Sequence, residues 1–599
     1  MRKRRQFIPA SLGAAVAGCA MGCVMGCATA PPPVTKIVNG HLIETRAVSA
    51  DAYEHVTRAY LYEEEERWQD AADELQRALP FDPDAAEVRA ELAELFTRLG
   101  RRDDAQEQIN RSLDIAPTVA GYLAAAHLAQ ARAGEGHRSD GAVTGPLSNA
   151  CRLALEDQDP DEIETTHLEL ADAQVGALDL PSALATLRRL VDAAPETQRG
   201  RVQLAAVAWT LDARDEAMHA LTAALEEEPA DVEARVLVAE LLIAGGKDKA
   251  AKAAFREAID RADVPTEIAT AFAGWLVLRG DVAEAQAVAD GMTADAPDVE
   301  SLEQAAALER TVKRPDRALA LAERARKQGA TPGQVALMIG AALASKGDQA
   351  GALAAYRGVA RTQAQFFEAH LRAGELLRDK GQLTEAGKAL DEASAEASDE
   401  TRAVELAIAR SELEEKKGDA ARAARVLDEA LAAKPDQAQL MDRLILQRAS
   451  VDDHRGDWQK AAARVEAILA REPRNVEALN FAGFVAADHA QDLPRAIKRL
   501  QAAMAMSPGT GGVVDSLGWA YFKAGDLTHA DAFLEQAGRL EPGDPEILSH
   551  LGDLYARRQE RERAVATYRR ALTLSPSDRV ARELNERLRT LDAKSAAGR

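Results

Sequence analysis

The sequence predicts an all-α solenoid, a superhelix of stacked helix-turn-helix units, and three observations predict it. Aromatic residues are only 4% of the chain while apolar residues reach 47%. The interior is therefore expected to be made of helices approaching closely over alanine rather than of a few large side chains. Prolines close successive segments at a constant interval, Pro508, Pro542 and Pro576 each following by 34 residues (542 − 508 = 576 − 542 = 34). Between them small residues recur at fixed places, Gly518 and Gly552 early in the unit, Ala530 and Ala564 late. One such unit cannot bury its own apolar faces, whereas a stack can.

Taken from the amino end, Arg2-Lys3-Arg4-Arg5 precedes a small, apolar stretch from Phe7 to about Gly26, which reads as a signal peptide over residues 1–27 rather than a permanent membrane span. Three of the four cysteines fall here, Cys19, Cys23 and Cys27, each after a glycine and four residues apart. On a helix they would share a face, but no His, Asp or Glu lies near enough in sequence to complete a metal site, so no metal and no cofactor is expected. The stretch resembles the lipobox of bacterial lipoproteins, in which the cysteine receives lipid. Val16-Ala17-Gly18-Cys19 fits the preceding-residue pattern best, and Val24-Met25-Gly26-Cys27 is placed best before the Pro-rich spacer. The choice among Cys27, Cys19 and Cys23 stays open. Arg4-Arg5-Gln6-Phe7-Ile8 also resembles a twin-arginine export signal, with Lys3 a departure from it. Alanine after Cys19 or Cys27 resembles the outer-membrane retention pattern of such lipoproteins. Export would leave Cys151 without a disulfide partner, a small core residue.

Residues 28–51 form a Pro-containing tether and a short β-hairpin, since two alternating segments flank Asn39-Gly40, a pair suited to a type I′ turn. Helical units then run from about Ala52. Ala71, Leu75, Ala78 and Pro83 close one of them, and Ala105, Ile109, Ser112 and Pro117 close the next, again 34 residues on (117 − 83 = 34). Ala217, Leu221, Ala224 and Pro229 continue the series, and Ala423, Leu427, Ala430 and Pro435 resume it. We count about fifteen units: 52–131, a Gly-rich loop insertion at 132–148, a degenerate series at 149–400 whose register blurs between about 266 and 400, and a regular series at 401–578. Residues 579–599 read as a charged helix and tail capping the last unit.

The pattern Leu517-Gly518, Tyr521, Gly525, Ala530, Leu534, Ala537, Pro542, repeated as Leu551-Gly552, Tyr555, Ala564, Tyr568, Ala571, Pro576, resembles the tetratricopeptide (TPR) repeat. That resemblance implies a concave surface lined by the first helix of each unit, where peptides dock. It directs Phe484, Asp488, Asp515, Trp519, Phe522, Lys523, Asp553 and Arg557 into the groove, with Tyr53, Tyr60 and Glu64 as a second surface at the other end. Trp519 and Phe522 could equally be shared with packing between units.

A net charge of −23 repels polyanions, so nucleic acid is not an expected partner. No segment outside the array is long enough for a catalytic domain, and neither His-Glu-x-x-His nor Gly-x-Ser-x-Gly occurs. Gly245-Gly246-Lys247 is similar to a phosphate loop but lacks its first glycine. His529 and His550 read as surface or groove residues. The expectation is a non-catalytic protein. The carboxyl-terminal repeats resemble those of large bacterial TPR lipoproteins, some of which are outer-membrane adaptors presenting cell-wall enzymes to a processing protease. The resemblance implies a lipid-anchored scaffold on the outer membrane facing the periplasm, whose partners would be a periplasmic protease, a cell-wall hydrolase or an export component. Two alternatives stand beside it: a component of envelope polysaccharide or protein export machinery, and an enzyme with a site built across repeats.

Overall fold

A computed structural model of the chain describes residues 34–38, 41–45, 49–133, 141–263, 265–293, 298–574 and 576–597. Cys19, Cys23 and Cys27, with the signal segment around them, lie outside the described residues. The first elements are β1 (Val34–Val38) and β2 (His41–Thr45), antiparallel with Val38 opposite His41 and Val34 opposite Thr45.

Among the described residues thirty-one helices follow. The first eight are α1 (Ala50–Glu64), α2 (Trp68–Ala78), α3 (Ala86–Arg98), α4 (Arg102–Ile115), α5 (Val119–Ala133), α6 (Thr144–Asp157), α7 (Pro160–Gly176) and α8 (Leu180–Ala193). Next come α9 (Gln198–Thr210), α10 (Arg214–Glu227), α11 (Val232–Ala244), α12 (Asp248–Arg261), α13 (Pro265–Arg279), α14 (Val282–Thr293), α15 (Val299–Thr311) and α16 (Pro315–Lys327). The array continues with α17 (Pro332–Lys346), α18 (Gln349–Arg357), α19 (Phe366–Asp379), α20 (Leu383–Ser394), α21 (Glu400–Lys416), α22 (Ala420–Ala432), α23 (Ala438–His454) and α24 (Trp458–Arg471). It ends with α25 (Val476–Asp488), α26 (Leu493–Met506), α27 (Gly511–Ala524), α28 (Leu527–Leu540), α29 (Pro545–Arg557), α30 (Arg561–Thr573) and α31 (Asp578–Ala597).

Each odd helix packs on the even helix after it, from α1 with α2 to α29 with α30, and α31 covers the last pair. The local reasons are legible at α27–α29. Gly525 takes φ 82° and ends α27, a left-handed position that costs other side chains energy. Asp544 caps α29 by accepting from the Glu546 and Ile547 backbone N–H groups, with Pro545 in the first turn. Within the hairpin Ala530 is fully buried, and a Cβ on Gly518 would sit 2.7 Å from Leu534 Cγ, so only glycine lets α27 lie this close to α28. The degenerate stretch obeys the same rule. Ala251, Ala285, Ala318, Ala352 and Ala386 are all fully buried, one per hairpin and 33 or 34 residues apart (285 − 251 = 34, 318 − 285 = 33). The insertion expected over 132–148 is shorter among the described residues, because α5 runs on to Ala133 and α6 already begins at Thr144. Cys151 is buried, and burial pushes its thiol up to about 11, as befits an inert core residue.

The array closes on itself. One apolar cluster runs through residues Val119 to Val312 and resumes at Ala449 to Leu584, whereas the repeats between them form separate clusters. α26 packs against α9 and α7, and α28 against α11. Polar links stitch the same seam. Arg474 Nη1 meets Asp172 Oδ2 at 2.5 Å, Arg539 Nε donates to the Ala244 carbonyl at 3.0 Å, and Trp275 Nε1 donates to the Arg539 carbonyl at 3.0 Å. Thus the carboxyl ends of even helices from the second turn press on odd helices of the first, seventeen helices earlier for α26 on α9 and α28 on α11 (26 − 9 = 28 − 11 = 17) and nineteen for α26 on α7 (26 − 7 = 19).

Candidate protein-binding faces

The residues that the repeat resemblance directs to a groove lie on α25, α27 and α29, three neighbouring odd helices. Trp519 stands at their centre, stacked on His550 (ring centroids 4.2 Å apart, planes at 16°) and on Phe522 (5.0 Å, 12°). Its indole Nε1 donates to Asp488 Oδ1 at 3.1 Å, and Lys523 Nζ donates to the same oxygen at 3.3 Å while lying 5.2 Å from the indole centroid. Burial alone would raise the Asp488 carboxyl, but Lys523 and the Trp519 hydrogen bond outweigh it and hold it below the usual range. His550 Nδ1 bonds to Asp515 Oδ2 at 2.7 Å. Burial opposes charge on this imidazole, yet Asp515, Asp553 and Glu546 together raise its pKa. Phe484 tilts against the His550 ring at 6.2 Å.

Exposure separates frame from contact surface. Trp519 and Asp515 are 6% and 5% exposed, so they hold α25, α27 and α29 in register. Phe484, Phe522 and Lys523 are half-buried, and Asp488 and Arg557 are exposed. Asp553 is drawn away toward the cap: it accepts from Tyr568 Oη at 2.6 Å and meets Arg587 Nε of α31 at 2.8 Å. A second link, Lys416 Nζ to Asp578 Oδ2 at 2.6 Å, joins α21 to α31. The accessible part of this face is therefore aromatic at the centre and charged at the rim, a composition suited to protein partners.

At the amino end, Tyr53 and Tyr60 are 55% and 41% exposed, and Glu64 is exposed beside them. Tyr60 Oη donates to Glu91 Oε1 at 2.7 Å. Burial, with Glu63 and Glu87 nearby, pushes the Glu91 carboxyl up to about 7. This is a smaller, acidic face built on α1 and α3.

One feature escaped the sequence reading altogether. His127 of α5 bonds Glu94 of α3 through Nδ1 at 2.6 Å and Glu169 of α7 through Nε2 at 2.9 Å. Burial disfavours its charge, but the two carboxylates prevail and raise it to about 10, so at neutral pH an imidazolium pins three successive odd helices together. Its partners lie 33 and 42 residues away, and no local motif announces them. His529 lies at the surface, bonded to Asp526 at 2.6 Å, whereas His550 is enclosed by the aromatic stack. Among the described residues no three or more His, Cys, Asp or Glu side chains are placed to hold a metal ion, and no helix is long and apolar enough to cross a membrane.

The paired helices, the glycine and alanine contacts and the inner-face register define a TPR-type helical repeat array. Tetratricopeptide repeat family models match residues 62–133, 446–509 and 516–579, so the chain carries tetratricopeptide repeats in those segments. A TPR repeat-containing protein of Pseudomonas aeruginosa is 25% identical over 168 residues, a match that covers 28% of this chain and 28% of that relative. Among solved structures, a tetratricopeptide repeat protein from Parabacteroides merdae is 16% identical, covering 43% of this chain and 98% of its own with a TM-score of 0.35. Yeast Tom70 is 11% identical, covering 91% of this chain and 96% of its own with a TM-score of 0.32.

Proposed function

We propose that this protein is a non-catalytic scaffold of the bacterial cell envelope that gathers protein partners on its inner face. The observation that carries the reading is the accessible set Phe484, Phe522, Asp488, Lys523 and Arg557, held in place by the buried Trp519 and Asp515. Apolar anchors ringed by charge are what a peptide or protein surface engages. The pattern of residues 1–27 supports attachment to the outer membrane through lipid on Cys27, Cys19 or Cys23, facing the periplasm. Partners of the class of a periplasmic protease, a cell-wall hydrolase or an export component fit that address.

Crosslinked capture from native membranes tests the reading, comparing the full-length protein with Phe484→Ala/Phe522→Ala. A partner captured by the parent and lost from the variant, with helical content unchanged, is the expected result. Equal capture by both would overturn the assignment of this face. Replacing Cys19, Cys23 and Cys27 together should release the protein from membranes, and unchanged attachment would remove the lipid anchor.

A further inference from the structure

Closure of the superhelix leaves an open cleft of about 900 Å³ between its two turns. Val202 of α9, Val236 and Leu237 of α11 and Ile268 of α13 line it from the first turn, all half-buried, and Met506 at the end of α26 lines it from the second. Two carboxylates stand in this apolar setting. Glu233 and Glu240 lie seven residues apart on α11 (240 − 233 = 7), which places them about 10 Å apart along one side of the helix with Val236 and Leu237 between them. Glu240 reaches the α26–α27 turn, where a Cβ on Gly509 would collide with its carboxylate. Other carboxylates on the odd helices are matched: Asp172 by Arg474 at 2.5 Å, Glu169 by His127 at 2.9 Å, Asp488 by Lys523 at 3.3 Å and Asp515 by His550 at 2.7 Å. Among the described residues no hydrogen bond or ion pair reaches Glu233 or Glu240. The only cation lining the cleft among the described residues is Arg474, which Asp172 already neutralises. Burial lifts the Glu240 carboxyl to about 7, with no neighbouring charge to oppose it. Gln203 of α9, half-buried and likewise without a hydrogen-bond partner, adds an amide to the same cleft.

An apolar cleft with a few polar groups on its wall is the form of a binding site, and the sign of those groups selects what enters. We propose that the cleft docks a basic, apolar peptide segment, in which two lysine or arginine side chains about 10 Å apart reach Glu233 and Glu240 while the apolar residues between them lie on Val202, Val236 and Ile268. The spacing also selects a sequence pattern. In a polyproline II strand, rising 3.1 Å per residue with three residues per turn, positions i and i+3 share a face and stand about 9 Å apart. The segment therefore reads Lys-x-x-Lys with apolar x, and the Gln203 amide is left for its main chain. Fatty acids and anionic lipids would suit the apolar walls, but their head groups meet the repulsion of both carboxylates. The cleft is separate from the face on α25–α29, so a segment docked here leaves Phe484 and Phe522 open to a second protein.

The test is fluorescence anisotropy of the full-length protein with a fluorescein-labelled peptide, Gly-Ser-Lys-Leu-Val-Lys-Ser-Gly, at pH 8, where Glu240 is ionised. Saturable binding is the expected result, weakened about tenfold in Glu233→Gln/Glu240→Gln, which keeps the shape of the cleft and removes its charge. A twin peptide with glutamate in place of both lysines should not bind. Phe484→Ala/Phe522→Ala should bind as the parent does, because those side chains lie outside the cleft. No saturable binding to the parent, equal binding by the Glu233→Gln/Glu240→Gln variant, or equal binding of the acidic twin overturns the proposal. So does a loss confined to Phe484→Ala/Phe522→Ala, which would send the peptide to α25–α29 instead. Saturation of the cleft by laurate with none by the basic peptide would make it an acyl-chain site and overturn the proposal as well.

Discussion

The inner face of α9–α13 and the inner face of α25–α29 are built by the same repeat and are used differently. On the first, α9 meets α26 of the second turn, Ala206 is buried, and Val202 and Val236 stay half-buried along an apolar cleft that the chain itself walls on both sides. On the second, Phe484, Phe522, Asp488 and Lys523 keep access to solvent. The residues that shape the hairpin are equivalent in both, as the fully buried Ala217 and Ala530 show. What differs is the side chains that the hairpin does not need. A repeat therefore fixes how helices pair and leaves free whether the resulting face is kept or offered.

The contrast can be broken most forcefully at the cap end. Tyr568 is 1% exposed and fills the space over Gly552, so Tyr568→Ala should cost roughly 3–5 kcal/mol in the carboxyl-terminal units. Chemical denaturation should then show an early transition confined to α25–α31, while a single shifted transition would mean the seam couples both turns. Next in size is the separation of frame from contact. Trp519→Ala should destabilise by about 3 kcal/mol and lose partner capture with it, whereas Phe522→Ala should change stability by under about 1 kcal/mol and still lose capture. Equal destabilisation by both would assign Phe522 to the frame.

His127 sharpens the comparison at the other end. Its folded pKa of about 10 exceeds the unperturbed 6.5, so its contribution is complete below pH 6.5 and disappears as pH rises through about 10. His127→Gln should cost about 2 kcal/mol at pH 6 and flatten stability between those limits, read from urea midpoints at several pH values. Smallest is Lys416→Ala, which removes an exposed ion pair with Asp578 and should leave the denaturation midpoint unchanged. A large shift there would make the α21–α31 link a structural strut.

The hairpins were legible because their determinants are local. Gly518, Ala530 and Pro542 lie within one 34-residue unit, and even where the closing proline is absent, the buried alanines at 285, 318, 352 and 386 keep time. The helices that carry the candidate groove residues were legible, since the repeat interval alone places Phe484, Trp519 and Asp553 on α25, α27 and α29. Their exposure was not, because the burial of Trp519 depends on His550 and Asp488 from two other units. Closure of the array was wholly hidden. Trp275 and Arg539 are 264 residues apart, and their pairing follows from the accumulated curvature of the units between them rather than from any motif.

The seam also sets an order of events during synthesis. Gly509 follows Glu240 by 269 residues (509 − 240 = 269). At about 5–20 residues per second, the first half of the chain waits on the order of half a minute before the segment that will cover it leaves the ribosome. Throughout that interval Val202, Val236 and their neighbours present a sticky surface on an otherwise folded body. The first turn thus spends a defined span of its own translation without the helices it will pack against.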